Sequence, residues 1–225
     1  MDVFLVPVAT DRYELYCEEP EPATATAPPT GFFRRVAHRF SEMVAEAERE
    51  RRRGGPPPDE TPPGLAARVK RRIMRWVAES IAEQRLLWLL RRQHEAAFVY
   101  PDDLSETHAR EILRRQLNRD FERHRFWLAI DALGLIASAA LTLLPGPNVI
   151  AYYFAFRIGG HYLSVRGARQ GIRNVTWHAR GSAPLSALRG ITAEPPHARE
   201  ARVHEVANLL HLEHFASFFQ RAAVP

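Results

Sequence analysis

The N-terminal positions alternate in a pattern that is typical of β-structure. Residues 3–8 form a short apolar run, and residues 12–17 alternate between polar and apolar after a three-residue connection. This pattern predicts a β-hairpin over residues 1–19. Pro7 predicts an edge or terminating strand, because proline cannot donate a ladder hydrogen bond. Two strands alone are marginally stable, so the apolar residues 97–100 are the candidate third strand.

The rest of the chain follows helical spacing. Apolar residues recur at three- and four-residue steps, which predicts long amphipathic helices over 31–53, 65–93 and 199–221, and a further helix from Ser105 onwards. The predicted fold class is therefore mainly α with a small N-terminal β-hairpin, an α+β arrangement. The predicted organisation is a hairpin at 1–19, a Pro/Ala/Thr linker at 20–30, an amphipathic helical region at 31–100, a helical region at 101–180, a loop at 181–198 and a C-terminal amphipathic helix at 199–225.

Two apolar stretches flank one turn within the third helical region. Residues 127–144 and 149–165 are joined by the turn Pro145, Gly146, Pro147 and Asn148, which no continuous helix can accommodate. Each stretch would be roughly 25–27 Å long as a helix, just short of a hydrocarbon core of about 30 Å. The pattern predicts an apolar helical hairpin over 127–165, either inserted in a membrane or buried in a soluble helical core.

Arginines bracket this predicted hairpin, and its turn carries no charge. By the positive-inside rule, both ends would face the cytoplasm. The candidate membrane-surface residues are Arg119, Arg123, Arg125, Arg166, Arg169 and Arg173.

Three ionisable residues lie inside the two apolar stretches. Asp131 precedes the turn by about as many residues as separate His161 from it on the other side, and Arg157 lies one turn nearer to it. Asp131 is therefore expected to pair with His161 or Arg157 across the hairpin. Intramembrane ionisable groups usually pair and often mark ion or proton pathways, so the three are ion or proton pathway candidates. The alternative is a structural ion pair in a buried soluble hairpin.

Several segments together are similar to a known family. They are residues 3–8 and 13–18, the corner 144–148, the run 152–157 and the positions His161, Tyr162 and 166–168. The chain resembles the mitochondrial potassium/proton exchange-related family, which also has bacterial members. The resemblance covers the first 20 residues and about 115–172. It implies a membrane-associated protein linked to potassium/proton exchange or cation homeostasis, for which the bacterial inner membrane is the expected location. The resemblance assigns no transport-site residue to this chain.

A hairpin of two helices is too small to form an alternating-access carrier alone, because such folds use paired multi-helix repeats. The chain is therefore expected to act as an accessory or oligomeric component, with membrane lipid and a second copy or a membrane protein as partners.

Composition and charge bear on which partners the chain could bind. The net charge is +5, yet residues 1–30 are acidic, so the remaining chain is strongly basic, and all its basic residues except Lys70 are arginines. This leaves open a soluble helical interaction module that binds anionic lipid or a protein partner through its basic face. With Cys17 alone, no disulfide or cysteine-based zinc site can form within the chain.

The remaining motifs indicate little chemistry. His204, His211 and His214 could in principle hold a metal, but no established ligand spacing accompanies them, so no metal site is expected. No nucleophile elbow or phosphate-binding glycine loop occurs, so neither enzymatic activity nor a cofactor is expected. Aromatic residues follow apolar helix faces, which argues against nucleic-acid binding. The N-terminus has no basic segment ahead of its apolar run, so no cleavable signal peptide is expected.

Overall fold

The structure, a computed structural model, describes residues 1–18, 86–138, 149–192 and 194–223. Four sequence predictions lie outside these residues: the linker at 20–30, the helix at 31–53, most of the helix at 65–93, and the turn at 145–148. The end of the helix predicted at 65–93 is described, and it is helical over residues 86–90.

Four strands form one sheet in the order β2-β1-β3-β4. They are β1 (Asp2–Ala9), β2 (Arg12–Tyr16), β3 (Glu95–Pro101) and β4 (Thr176–Ser182). β1 pairs antiparallel with β2 and parallel with β3, and β3 pairs parallel with β4. The predicted hairpin and the predicted third strand are both confirmed, and the fold is mainly helical with a small sheet.

The prediction that Pro7 places the first strand at an edge is wrong. β1 lies between β2 and β3. Proline is accommodated because β3 pairs only with residues 2–4 of β1, so the position of Pro7 faces no ladder on that side. On the other side the register with β2 shifts between Pro7 and Ala9.

Helices cover both faces of the sheet, which explains why β1 is apolar at successive positions. Val3 and Leu5 point into one buried cluster, whereas Phe4, Val6 and Val8 point into another. Successive side chains of a strand point to opposite faces, so a strand covered on both sides must be apolar throughout.

Two long helices follow β3. They are α1 (Glu106–Ser138) and α2 (Val149–Arg173). The start predicted at Ser105 is confirmed to within one residue, and the Ser105 hydroxyl accepts a hydrogen bond from the backbone N–H of His108 at 3.3 Å. The helices run in opposite directions, since Gly134 meets Phe154 while His124 meets His161.

Neither of these helices, nor any other in the described part of the chain, is both long and apolar enough to cross a membrane. The transmembrane hairpin predicted over 127–165 therefore has no support in these residues.

The loop predicted at 181–198 is wrong, because it contains the helix α3 (Ala183–Ile191) and the end of β4. Pro184 lies in the first turn of α3, where proline is tolerated because its missing N–H has no intrahelical partner. Leu185, Leu188 and Ile191 recur at three-residue steps and are buried against the sheet. β4 was likewise missed inside the region predicted to be helical to residue 180.

The single C-terminal helix predicted over 199–225 is also wrong. Two helices occur there, α4 (Pro196–Leu209) and α5 (Phe215–Ala222). The chain reverses between them at His211, whose φ of 55° lies in the left-handed region. The Glu18 carboxylate, just beyond β2, accepts the backbone N–H groups of Glu213 and His214 at 2.9 and 2.7 Å. The N-terminal hairpin therefore holds the start of α5.

Gly167 allows α2 to touch the backbone of the helical segment 86–90. A Cβ atom added there would lie 1.7 Å from the Leu87 carbonyl oxygen. Next to this contact, the Trp88 indole N–H lies 3.0 Å from the Ser164 hydroxyl and 3.2 Å from the Gly160 carbonyl, so it donates to α2. Glycine is required here because any side chain would separate the two backbones.

We expect Gly167→Ala to lower the free energy of unfolding by about 2 kcal/mol or more, because the clash is with backbone and not with a flexible side chain. Urea unfolding of the full chain measures the change. Gly159→Ala is the matched control in the same helix, where an added Cβ meets nothing within 4 Å. Alanine has the higher helix propensity, so this control should gain up to about 1 kcal/mol. Equal effects of the two substitutions would contradict the assigned contact.

Candidate functional site

The far parts of α1 and α2, residues 121–138 and 149–164, pack against each other, and we call them the arm. In α1 the buried positions Leu117, His124, Asp131 and Ser138 recur every seven residues. This spacing keeps them on one helix face. Leu117 belongs to the core below the sheet. The following three are polar or charged, so the fully buried positions of α1 within the arm are polar.

Asp131 and Arg157 form an ion pair across the inner face. The Nε–H of Arg157 lies between the two carboxylate oxygens of Asp131, at 2.9 and 3.0 Å. The Asp131 side chain is only 3% exposed and that of Arg157 21%. A carboxylate buried to this degree is strongly unfavourable without a paired charge, so Asp131 needs the positive charge of Arg157.

Two aromatic rings hold the guanidinium of Arg157. Its Cζ atom lies 5.6 Å from the ring centres of both Trp127 and Tyr153, within cation–π range. It also donates to the Tyr153 hydroxyl at 3.3 Å. Burial opposes the charge of Arg157, but hydrogen bonds to Asp131 and Tyr153 outweigh burial, so its pKa is raised. Arg157 therefore stays charged.

His161 connects this ion pair to a second histidine. Its Nε2 atom lies 3.3 Å from Oδ2 of Asp131, just outside the usual hydrogen-bond range of up to about 3.2 Å. On the other side of the ring, its Nδ1 atom lies 2.9 Å from Nδ1 of His124. Arg157, Asp131, His161 and His124 thus form one continuous line of polar contacts between the helices.

Burial favours the neutral form of both imidazoles. Burial lowers the pKa of His124 to about 4, with further contributions from the neighbouring His161 and Arg123. Burial also lowers the pKa of His161, as do Arg157 and Arg123, although Asp131 acts in the opposite direction. Each neutral ring has one donor and one acceptor nitrogen, so one ring can donate to the other across the 2.9 Å contact.

The three pathway candidates predicted from the sequence are brought together. Asp131 contacts both Arg157 and His161, so the structure contains both of the pairings that spacing left open. The sequence pattern does not single out His124 as a site residue, because it precedes the apolar stretch 127–144. Its position seven residues before Asp131, on the same helix face, is the signal that could have found it.

The outer face of the arm is apolar. Ile136 is 70% exposed and Leu133 64%, and both lie on α1. Other large apolar or aromatic side chains exposed on the arm are Phe126, Trp127, Ile130, Tyr153 and Tyr162. From residue 126 to 138 of α1 the exposed side chains are all apolar and the buried ones, Asp131 and Ser138, are charged or polar, the reverse of the usual arrangement in a water-exposed helix.

The six arginines predicted to bracket the hairpin are all exposed. They are Arg119, Arg123, Arg125, Arg166, Arg169 and Arg173. All lie near the sheet end of the arm, whereas the exposed apolar residues extend towards the opposite end. Arg125 pairs with Glu122 at 2.6 Å.

The three histidines weighed as a metal site do not share one helix. His204 lies on α4, His211 in the reversal that follows, and His214 directly before α5. Within the residues that the structure describes, no group of three histidine, cysteine or acidic side chains could hold a metal ion.

The lowered pKa of His124 predicts a loss of stability in acid. Below pH 6.5 the unfolded chain protonates this ring while the folded chain does not, so the free energy of unfolding falls as the pH drops from 6.5 to about 4. The contribution of His124 is at most about 3 kcal/mol. Urea unfolding at several pH values should show a shallower loss for His124→Gln than for the unsubstituted chain.

His204→Gln is the control for this prediction, because His204 is exposed on α4. This variant should keep the original pH dependence. If His124→Gln lost stability as steeply as the unsubstituted chain, His124 would not be the group that resists protonation.

Comparison with known proteins gives one match. The family model described as mitochondrial K⁺–H⁺ exchange-related matches residues 2–172. This segment includes β1 to β3, α1 and nearly all of α2, and therefore the whole line of polar contacts in the arm. It ends before β4 and α3 to α5. No curated protein and no solved structure matches the chain. Because the matched segment spans well over half of the sequence, the chain belongs to the mitochondrial K⁺–H⁺ exchange-related family.

Proposed function

We propose that this protein is a membrane-associated component of a potassium/proton exchange system, and that the arm is the part that contacts lipid. The family supports the link to potassium/proton exchange. The observation that supports contact with lipid is the reversed polarity of the arm. The exposed side chains of Leu133 and Ile136 are unfavourable in water and would be favourable against acyl chains.

The positions of the charges support one orientation of the arm. The exposed arginines lie near the sheet, and the exposed apolar residues extend towards residue 138. The sequence that follows, residues 139–148, carries no charged side chain. The end of the arm near residue 138, which is furthest from the sheet, would thus contact the membrane, while the arginines face anionic headgroups.

The interior of the arm supports a role in handling ions. Lipid contact on the outside would shield Asp131, Arg157 and His161 from water, and ionisable groups in such surroundings often serve ion or proton pathways. A pair of helices cannot form an alternating-access carrier by itself. The protein therefore acts with a second copy or with a membrane protein partner, and the proposal assigns it no enzymatic reaction.

The alternative, a soluble interaction module that binds through its basic face, is less well supported. It explains the arginines but leaves the exposed apolar residues without a role. The two functions predict different results for vesicle binding. They differ in the residues on which this binding depends and in the effect of salt on it.

Replacing both Leu133 and Ile136 with aspartate should weaken binding to vesicles. Burial of one such side chain is worth about 2 kcal/mol, or roughly 30-fold in partitioning, so the double variant should lose most of its binding. Flotation of the full chain with vesicles of mixed neutral and anionic phospholipid measures this.

Leu209→Asp is the matched control, because Leu209 is 61% exposed but lies on α4, outside the arm. It should float like the unsubstituted chain. Binding that survives the double substitution but is abolished by about 1 M salt would favour the basic-face alternative and contradict the proposal.

A further inference from the structure

Two buried histidines face each other through the same ring atom. Nδ1 of His124 and Nδ1 of His161 are 2.9 Å apart, and the ring centres are separated by 5.1 Å. Two nitrogen atoms at this distance must share one hydrogen, with one ring donating and the other accepting. The pair is therefore an ordered hydrogen bond between neutral rings, and its direction depends on what each ring contacts on its other side.

Asp131 sets that direction. Its Oδ2 atom lies 3.3 Å from Nε2 of His161, and at this distance the negative charge of the carboxylate favours an N–H over a lone pair on that nitrogen. Nε2 of His161 therefore carries the hydrogen, which leaves its Nδ1 with a lone pair. It follows that His124 donates from Nδ1 and keeps a lone pair on Nε2. In the described part of the chain, Nε2 of His124 has no hydrogen-bond partner, so it is the open end of the line.

The charges around this line are mostly positive. On α1 they are Arg123 and Asp131, and on α2 the facing charge is Arg157. The helical segment 86–90, which packs on α2, contributes the indole of Trp88, which does not titrate. Arg91 and Arg92 follow that segment. Positive charges surrounding a buried pair of imidazoles disfavour a persistent imidazolium, so a proton can pass through the rings but not rest on them.

We propose that the arm binds one exchangeable proton, which enters at His124 and reaches Asp131 through His161, and that the same site excludes alkali cations. This inference rests on the proposed function and specifies which ion of the exchange the arm handles.

The proton transfer requires one proton and no other reactant. A proton from water binds Nε2 of His124, and the Nδ1–H bond of that ring breaks as its proton passes to Nδ1 of His161. The Nε2–H bond of His161 then breaks, and its proton binds Oδ2 of Asp131. Arg157 ends the line, because a guanidinium does not give up its proton. The proton therefore leaves by the route through which it entered.

The same contacts exclude potassium. One N–H of Arg157 lies between the two oxygens of Asp131, and His161 contacts one of those oxygens as well. An alkali cation needs several free oxygen ligands, and it would be repelled by the guanidinium beside this carboxylate.

The relay can be tested by NMR on the full chain with ¹⁵N-labelled histidine. At neutral pH, His161 should be the Nε2–H tautomer and His124 the Nδ1–H tautomer. In His124→Gln the amide still donates to His161 but cannot pass a proton on, so solvent exchange of the His161 Nε2–H should slow by roughly tenfold or more. Unchanged exchange, or the opposite tautomers in the unsubstituted chain, would overturn the relay.

Three controls make the result specific. His204→Gln, on the exposed surface of α4, should leave the exchange rate unchanged. His124→Phe tests the same step without any hydrogen bond to His161. If neither variant at position 124 folds, the opposite tautomers in the unsubstituted chain would still overturn the relay. Replacing choline chloride with potassium chloride at equal ionic strength should not move the His161 signals, and a potassium-specific shift would overturn the exclusion of cations.

Flotation separates this inference from the proposed function. His124 is buried, so His124→Gln should bind vesicles like the unsubstituted chain. Intact flotation with unchanged proton exchange would overturn the relay and leave the lipid contact standing. Failure of the unsubstituted chain to float would instead contradict the proposed function, whatever the exchange rates show.

Discussion

A carboxylate buried between two helices needs a positive partner, and this requirement determines how α1 and α2 face each other. Asp131 is almost completely enclosed, and Arg157 supplies the charge and the hydrogen bonds that its oxygens have lost from water. Once these two residues are opposite each other, the antiparallel direction of the helices brings His161 beside Asp131 and His124 beside His161. The polar line is thus a consequence of one ion pair and of helix geometry.

The same arrangement leaves the outer surface of the arm apolar. With polar residues committed to the interface, the faces of α1 and α2 that point away from each other carry leucine, isoleucine and aromatic side chains. In water this surface would be unfavourable, and this is the reason we propose that lipid covers it. The rest of the fold serves as a base, because the sheet and the helical segment 86–90 hold the near ends of both helices. The family match covers this base and the arm together, whereas α3 to α5 lie beyond it.

Local patterns predicted the elements that depend on few long-range contacts. The hairpin, the third strand and the start of α1 follow from alternation, from turn residues and from helical spacing, and all are confirmed. The errors occur where distant residues decide the outcome. α3 forms around a proline because its leucines reach the sheet, and the C-terminal helix divides where Glu18 accepts two backbone N–H groups from a segment far along the chain. Pro7 is tolerated in a central strand because of where β3 stops pairing.

The sequence by itself determined which residues of the site could pair, since depth along two helices follows from counting residues at a constant rise. It placed Asp131, Arg157 and His161 near one another without any structure. Only the tertiary structure decided that Asp131 contacts both partners, that His124 extends the line, and that the apolar residues of the arm point outwards. These features depend on the rotation of each helix about its axis, and that rotation is set by packing between α1 and α2, to which residues far apart in the sequence contribute.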